Sequence, residues 1–504
     1  MNRLHQKLLA KSQTYQSWHS HPRLCPVLRR SLRRVTQSFG GPARHPFWHW
    51  TAFLSIAVLA AFYLMEAISN HTSRPLQTAH AAACDYYASP TGGGNGLTQS
   101  SPFQITNFWA VAAPGKTLCL LDGTYTGASS MIAPTMGLSG SNGSPITVKA
   151  LNDGAVFIDG QNTRAPVVLD NNDWWIIDGL NAANSSGNVV LINTGSNHDT
   201  IRRVVAWNAA VAVNNSVWLT QGDFTLFEDV AGFGTGRKIF SAGNDLTIRR
   251  AWGMWNKSTW NPGYEAPKEV FSSYYDTYNG TCENCIGTWD NDAGTLTVDQ
   301  YGIFSTDRFN LYGPGQCANT GYYGSIAYMR SGQSANFYAA LRNTSSGDCQ
   351  TFENVVAYLE TSQLTTGLNS WSVSDGGPSN GGHILANVTE IGPGGADIGS
   401  DWTINNRIKV ATVAEAPNIW NGTGNSGARV CYRYVDRKLT GTPLWPWPMN
   451  QRIIDALKAA GRAPIDITAT MEQIFGPIPS QCRSGSMPPP DTTPPSPPAN
   501  VRVQ

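Results

Sequence analysis

Seven short segments of the chain repeat nearly the same pattern. Most have an apolar start, a polar or glycine step, then an apolar pair, and turn residues separate the copies. Their starts are 26, 21, 34, 40, 30 and 33 residues apart. A variable period of this size without helical periodicity predicts an all-β solenoid, a parallel β-helix whose coils stack about 4.8 Å apart. The segments begin at Ile201, Phe227, Ile248, Cys282, Tyr322, Phe352 and Leu385.

The charge distribution bears on the partners of the main body. Residues 1–47 contain nine Lys or Arg and no Asp or Glu, which leaves 26 basic and 34 acidic residues in the rest, a formal charge of −8. An acidic body lacks the positive surface that binds phosphate backbones, so we expect no nucleic-acid partner.

A basic segment, residues 1–47, precedes an apolar segment, residues 48–68. Basic residues before an apolar run place the N-terminus in the cytoplasm and the body outside. The run is marginal for a membrane span, and Ala79–Ala83 in the following linker, residues 69–84, resembles a small-residue cleavage site. A membrane anchor and a cleaved signal peptide both remain open. Either predicts an exported protein, extracellular or at the cell surface, with the membrane as a partner if the segment is uncleaved.

Eight of the nine cysteines follow the basic segment, and only Cys25 lies within it. An even number of cysteines in an oxidising compartment permits disulfides. Cys317 and Cys349 are about one coil apart, and a Cys431–Cys482 bond would hold the C-terminal part. These two pairs are the predicted candidates.

Two features inside the repeats are interpreted as structural. Cys282 and Cys285 occupy positions that are apolar in other copies, so two core-filling thiols are favoured over a metal or redox CxxC. Asn284, Asn354 and Asn387 share one position of the repeat and predict a turn there.

Both ends of the predicted β-helix, residues 85–405, have helical signals. Ser101-Pro102 predicts the start of a short cap helix, which Pro114-Gly115 ends. The C-terminal region, residues 406–485, contains an apolar stripe within Asn450–Ala460 that predicts a second cap helix. Such helices would protect open strand edges.

Three early segments carry a family resemblance. Pro114–Thr126, Ser144–Ala150 and Trp175–Leu180 resemble the opening coils of right-handed β-helix proteins of the pectate-lyase-like superfamily, and in particular of the chondroitinase and alginate lyase group. The resemblance implies a right-handed parallel β-helix. It indicates activity only weakly, because one fold hosts many functions. Residues 486–504 resemble a proline-rich linker and the first strand of a fibronectin type III module.

A second alignment suggests a site. Three segments, beginning at Arg237, Lys268 and Tyr301, end in Phe-Ser with spacings of 31 and 33 residues. Stacking would place these three residues in one row, with Lys238 and Glu269 in a second. We predict Lys268, Arg237 and Tyr301 as catalytic and Lys238 as substrate-binding. The alternative is that these residues are only structural. Lys238 and Glu269 would then form an ion pair between coils, and Arg237 and Lys268 would be solvated surface residues.

The basic row suits β-elimination on a uronic-acid polymer. A cation neutralises the carboxylate beside the proton to be removed, and a lysine whose pKa is lowered by a neighbouring cation serves as the base. The resembling lyases use a lysine and an arginine on neighbouring coils, and some hold calcium, which implies calcium as a candidate cofactor. The candidate calcium ligands are Glu265, Glu269 and Asp276.

Aromatic residues of the middle coils offer surfaces for sugar rings. The candidates are Trp255, Tyr274 and Tyr275. Two functions remain open: a carbohydrate-active protein that cleaves acidic polysaccharide as a lyase, and a non-catalytic cell-surface protein that binds glycan or mediates adhesion. Elimination creates a conjugated double bond, so new ultraviolet absorbance distinguishes the lyase from the non-catalytic binding protein.

Overall fold

A computed structural model describes most of the chain after residue 82. The ranges are 83–210, 215–241, 243–255, 268–272, 278–289, 301–305, 319–329, 338–343, 350–360, 368–373, 382–392, 395–398, 402–420 and 427–483. The predicted segments 1–47, 48–68 and 486–504, and most of the linker 69–84, lie outside these ranges. None of the helices within them is long and apolar enough to span a membrane.

Strands dominate the described residues. In chain order they are β1 (Tyr86–Ala88), β2 (Thr117–Leu120), β3 (Gly123–Tyr125), β4 (Ile146–Ala150), β5 (Val156–Asp159), β6 (Val167–Leu169), β7 (Trp175–Asp178), β8 (Asn181–Ala183), β9 (Val190–Ile192), β10 (Thr200–Arg202), β11 (Val205–Trp207), β12 (Ser216–Thr220), β13 (Leu226–Glu228), β14 (Ala231–Gly234), β15 (Lys238–Ser241), β16 (Thr247–Arg249), β17 (Trp252–Trp255), β18 (Lys268–Ser272), β19 (Thr281–Glu283), β20 (Ile286–Trp289), β21 (Tyr301–Ser305), β22 (Gly321–Tyr323), β23 (Ile326–Met329), β24 (Tyr338–Asn343), β25 (Thr351–Glu353), β26 (Val356–Leu359), β27 (Leu368–Val373), β28 (His383–Ile391), β29 (Gly395–Ile398), β30 (Trp402–Val410), β31 (Tyr432–Val435) and β32 (Lys438–Pro443).

Helices are short and few among these residues. They are α1 (Ile105–Phe108), α2 (Asn450–Ala459) and α3 (Ile467–Phe475), with 3-10 turns at Ala128–Ser130, Val413–Glu415 and Ser480–Cys482. The predicted C-terminal helix is confirmed as α2, whereas α3 has no counterpart in the sequence interpretation.

The strands wind as a spiral. Within the described ranges, 21 strands form one sheet and nine form a second, in the order β29-β27-β24-β21-β18-β15-β12-β9-β6. The described strands of both sheets pair in parallel with their equivalents in neighbouring coils, and among the described strands only β31 and β32 pair antiparallel. The predicted all-β, right-handed parallel β-helix is confirmed.

The seven repeats stack in register. Each first residue pairs with the first residue of the next repeat, from Ile201 to Leu385. These seven side chains are at most 4% exposed. Burying one apolar side chain of this kind stabilises the fold by about 1.5–3 kcal/mol. A one-residue slip would turn the whole column to the other face of the sheet, so the core fixes the register.

A short turn joins two strands of the large sheet in several coils. Asn284 and Asn354 have φ angles of 53° in these turns, and Gly324 has 58° at the equivalent position. This left-handed conformation suits glycine and is better tolerated by asparagine than by most residues. The predicted turn is confirmed at Asn284 and Asn354, whereas Asn387 has a φ of 51° inside the continuous strand β28.

The N-terminal helix begins later than Ser101-Pro102 predicts. Helix α1 covers only Ile105–Phe108, with Gln104 before it. The backbone of Phe103 donates to Tyr87 and accepts from Ser89, at 3.0 Å each. This extended pairing with the first strand keeps the preceding residues from turning into a helix.

Two disulfides connect distant parts of the described chain. Cys84 bonds to Cys119, and Cys431 bonds to Cys482. The second pairing was predicted and is confirmed. The predicted Cys317–Cys349 pair lies outside the described residues.

The interpretation of Cys282 and Cys285 as two free core thiols is wrong. Their sulfurs form a disulfide across the turn at Asn284, and Cys285 is fully buried. The left-handed turn brings the two Cα atoms to 5.9 Å, within the range that a disulfide spans. The apolar residues at the equivalent positions of other repeats therefore predicted correctly that the two cysteines are buried. They did not predict the disulfide between them.

Residues 427–483, which we call the C-terminal strap, run along the side of the spiral. At one end, Tyr434 binds Asn284 and Glu353 of the middle and late coils. At the other, Arg452 of α2 binds Asp153 at 2.7 Å and the side chain of Asn181 at 2.8 Å in the early coils. The strap therefore contacts early, middle and late coils, with α2 at the early ones.

Charged side chains alternate along one column of the large sheet. Arg202 Nε lies 2.9 Å from Asp178, and Arg249 lies 3.4 Å from Glu228 and 2.7 Å from Glu283. The paired strands place these residues directly opposite one another. Most of these groups are buried, and Arg249 meets a carboxylate on both neighbouring coils, which compensates the cost of removing these charges from water.

One carboxyl group in the core has no such partner. Asp199 is fully buried, and its Oδ1 accepts the backbone N–H of Trp175 at 2.8 Å. Among the described residues its Oδ2 has no hydrogen-bond partner. Burial raises the pKa of the Asp199 carboxyl well above its usual range, although the Trp175 hydrogen bond opposes the shift. The folded protein therefore keeps this group protonated at a higher pH than the unfolded chain does.

We expect Asp199→Asn to stabilise the protein more as the pH rises. The raised pKa means that the native state binds more protons than the unfolded state above about pH 4, so the wild type loses stability from there up to the folded pKa. The asparagine side chain that replaces Asp199 does not ionise, so the variant does not lose stability in this way, and its carbonyl oxygen still accepts the Trp175 N–H.

Urea unfolding between pH 4 and pH 8 measures the effect. The midpoint of the variant should exceed that of the wild type by a difference that grows with pH. Asp455→Asn, at an exposed position of α2, is the control. A midpoint difference independent of pH would contradict the assignment.

Candidate active site

The nine-stranded sheet aligns the residues predicted to be catalytic. Lys238 pairs with Glu269, so Arg237, one residue earlier, stands opposite Lys268, and Lys268 pairs with Tyr301. The three residues thus occupy the same end of three neighbouring strands, about 4.8 Å apart from strand to strand. The structure describes the backbone of Lys268 and Tyr301 but not their side chains. Their predicted row is confirmed, and their catalytic roles stay predictions.

Aromatic packing inside the sheet fixes this alignment. The Phe240 ring stacks on Phe271 with centroids 4.7 Å apart and on Trp218 at 5.5 Å. All three rings belong to the core. Stacked aromatic pairs on neighbouring strands stabilise one register over its alternatives. The core therefore determines which polar residues become neighbours at the strand ends.

Three buried polar residues contact one another beside this core, and we call them the polar cluster. They are Lys238, Glu269 and Ser272, which are 2%, 0% and 3% exposed. Lys238 Nζ lies 3.2 Å from Glu269 Oε2 and donates to Ser272 Oγ at 2.7 Å. Arg237, one residue before Lys238, is 5% exposed. Charges screened from water interact more strongly than surface charges, so this end of the nine-stranded sheet is the candidate functional site.

The geometry makes Lys238 and Glu269 a buried cross-coil ion pair. The sequence analysis predicted that Lys238 binds substrate and that Glu269 binds calcium. Their burial leaves almost no surface for a polysaccharide to touch. The substrate-binding role of Lys238 stays a prediction.

The described residues do not fit a calcium site. Calcium takes several carboxylate or carbonyl oxygens, whereas the Glu269 carboxylate faces an ammonium group at 3.2 Å, which would repel a cation. Within the described ranges, no three acidic, histidine or cysteine side chains are grouped so as to bind a metal. The other predicted ligands, Glu265 and Asp276, lie outside the described residues.

Of the three predicted sugar-stacking aromatics, Trp255 lies among the described residues. Trp255 ends β17, is 1% exposed, and donates from Nε1 to the carbonyl of Gly236 at 2.7 Å. Its ring thus supports the backbone just before Arg237, which is a structural role at the edge of the site. Tyr274 and Tyr275 lie outside the described residues.

The sequence interpretation missed Ser272 as a partner of Lys238. The signal was present, because the three aligned segments all end in Phe-Ser, at Ser241, Ser272 and Ser305. Ser241 pairs with Ser272, and Ser272 pairs with Ser305. A hydroxyl repeated at one position of the aligned strands indicates a shared place in the sheet, and Ser241 and Ser272 are both buried there.

One curated protein is similar to part of this chain. Pectate lyase L of Dickeya chrysanthemi is 31% identical over 176 residues, which cover 31% of this chain and 40% of that protein. The chain thus matches less than half the length of this curated relative, and no protein-family model matches it.

Two solved structures are similar to parts of this chain. The crystal structure of pectate lyase Pel9A has a TM-score of 0.46 at 14% identity, covering 69% of this chain and 90% of that one. A rhamnogalacturonan lyase has a TM-score of 0.41 at 14% identity, covering 65% of this chain and 86% of that one.

Proposed function

We propose that this protein is an exported lyase that cleaves an acidic polysaccharide by β-elimination. The observation that carries the proposal is the register of β15, β18 and β21, which aligns Arg237, Lys268 and Tyr301 at one end of the nine-stranded sheet. The names of the similar proteins, pectate lyase and rhamnogalacturonan lyase, point to the same substrate class. The disulfides support export, because they persist in oxidising compartments.

The row supplies the groups that elimination requires. Arg237 neutralises the uronate carboxylate and stabilises the charge that develops as the adjacent proton leaves. The neutral amine of Lys268 accepts that proton, and a neighbouring cation favours the neutral form of a lysine. The C–H electrons form a carbon–carbon double bond, the bond to the glycosidic oxygen breaks, and the Tyr301 phenol protonates that oxygen. Proton return from Lys268 to Tyr301 restores the enzyme.

The side chain of Arg237 is 5% exposed, so the part assigned to it requires the substrate carboxylate to reach the small exposed part of this side chain. A charge in such a position is screened little by water and salt. The backbone N–H of Arg237 also donates to the carbonyl of Asn215 at 2.7 Å, which holds the start of the strand. A fixed cation needs little reorganisation when charge develops on the substrate.

The purified full-length chain tests the proposal directly. It is incubated with polygalacturonate, alginate and chondroitin sulfate, with and without calcium, and with a neutral glucan as control. New ultraviolet absorbance from an unsaturated uronate on at least one acidic polymer, and none on the glucan, is expected. Binding to a polymer without product would instead favour a cell-surface glycan-binding or adhesion protein. The absence of product on every acidic polymer would refute the lyase.

A further inference from the structure

The connection between β14 and β15 is short and rich in glycine. Only Thr235, Gly236 and Arg237 lie between the two strands. Gly234, the last residue of β14, has a φ angle of 87°, and Gly236 has a φ angle of 148°. Both angles lie in the range that favours glycine, the residue with the greatest backbone freedom. Contacts from outside the connection are therefore needed to fix the backbone at Arg237.

The peptide that joins Gly236 to Arg237 is held at both of its polar atoms. Its carbonyl oxygen accepts the indole N–H of Trp255 at 2.7 Å, from the next coil. Its N–H donates to the carbonyl of Asn215 at 2.7 Å, from the preceding coil. The two polar atoms of a trans peptide point in opposite directions within one plane. Rotation of this peptide would therefore break both hydrogen bonds.

The Trp255 hydrogen bond is enclosed by the protein. Trp255 is 1% exposed and belongs to the hydrophobic core, and Gly236 is buried as well. Water therefore cannot replace the indole N–H at the Gly236 carbonyl. A buried carbonyl that loses its donor favours a shifted backbone that finds another one.

The position of this peptide matters for the part assigned to Arg237. The side chain of Arg237 is 5% exposed, so the substrate carboxylate must reach a small part of it. A shift of the backbone moves that part. Misplacing a reacting group by about 1 Å can lower a rate about a hundredfold.

We propose that Trp255 is a positioning residue that fixes the Gly236–Arg237 peptide and thereby sets where the Arg237 guanidinium meets the substrate carboxylate. The catalytic part of this inference rests on the proposed lyase function, whereas the fixing of the peptide does not. Trp255 acts through its indole N–H and does not touch substrate.

Two substitutions in the full-length chain separate the hydrogen bond from the packing. Trp255→Phe keeps most of the ring volume but lacks the N–H. Trp255→His loses more packing but keeps a donor, because the five-membered ring of histidine has Nε2 where the indole has Nε1. We expect Trp255→His to have the lower urea midpoint, yet to keep kcat within about threefold of the wild type at about pH 8, where histidine is neutral.

The kcat of Trp255→Phe for elimination should fall about 10- to 100-fold. Its KM should stay within about twofold, because displacement of a reacting group affects the transition state most. Hydrogen exchange of the Arg237 amide should accelerate about tenfold in the same variant, since the peptide is then held at one atom only.

The matched control is Trp175→Phe. Trp175 is fully buried in the early coils, and its Nε1 also donates to a backbone carbonyl, that of Leu138, at 2.8 Å. This substitution removes the same kind of hydrogen bond far from Arg237 in sequence. It should lower the urea midpoint but leave kcat and the exchange of the Arg237 amide at their wild-type values.

The outcomes separate this inference from the proposed function. Unchanged exchange of the Arg237 amide in Trp255→Phe would overturn the fixing of the peptide. A kcat that follows stability, lower in Trp255→His than in Trp255→Phe, would overturn the positioning role. If Trp255→Phe does not fold, the kcat of Trp255→His decides, and its loss overturns the role. A wild-type chain without elimination activity would refute the lyase and the catalytic part, whereas the exchange result would still decide whether Trp255 fixes the peptide.

Discussion

Lys268→Ala is expected to lower the kcat for elimination about 100- to 10,000-fold. The proposed mechanism assigns this amine the removal of the proton beside the carboxylate, and positioned general bases contribute rate factors of about that size. The register next to Arg237 supports the choice, because an adjacent cation favours the unprotonated amine that the step needs. Initial rates of ultraviolet absorbance on the preferred polymer measure the effect.

The matched control for this variant is Lys458→Ala. Lys458 is an exposed lysine near the end of α2, outside the proposed site, and its removal should leave kcat unchanged. Circular dichroism spectra that match the wild type would show that both variants fold. A Lys268→Ala protein that folds and retains more than about half of the wild-type kcat would exclude Lys268 as the base.

Breaking the Lys238–Glu269 pair is expected to cost stability heavily. Lys238→Met leaves the Glu269 carboxylate, which is 0% exposed, without the ammonium group at 3.2 Å. Removing one partner of a buried ion pair costs about 3–5 kcal/mol, because the remaining buried charge loses the opposite charge that compensated its removal from water. Urea unfolding followed by tryptophan fluorescence should therefore show a clear drop in midpoint.

The double variant Lys238→Met/Glu269→Leu separates a packing role from a functional one. Two apolar residues of similar volume replace the pair without leaving a charge, so most of the lost stability should return. If the pair is structural, the double variant keeps its elimination activity with and without calcium. Loss of activity at restored stability would instead support the predicted contact of Lys238 with substrate or of Glu269 with calcium.

The repeat pattern was enough to predict the fold. The seven repeat starts pair with one another in the structure as the spacing implied, because an apolar residue that must be buried in every coil leaves one register. The same logic predicted the row of Arg237, Lys268 and Tyr301. Residues that become neighbours because coils stack can therefore be predicted from a sequence even when they are about thirty positions apart.

Contacts that do not follow the stacking were not predictable. Asn284 binds Tyr434 across 150 positions, and Arg437 binds Asn319 across 118. No periodicity relates the strap to the coils it touches. The sequence also did not predict that Lys238 is buried. A lysine in the same strand as Ser241 has the composition of a surface position, and only the structure shows what surrounds it. The sequence thus predicted which residues of the candidate site stand next to one another. Which of them form the protein's own ion pair could be seen only in the structure.

The strap has a mechanical consequence. A solenoid in which each coil touches only its neighbours can fray from one end, coil by coil. Here the Arg452 contacts to Asp153 and the Tyr434 contact to Glu353 bind early and late coils to one segment. Peeling a terminal coil away must also detach that segment, so the spiral resists unwinding much as a spring does when a rod is fastened along its length.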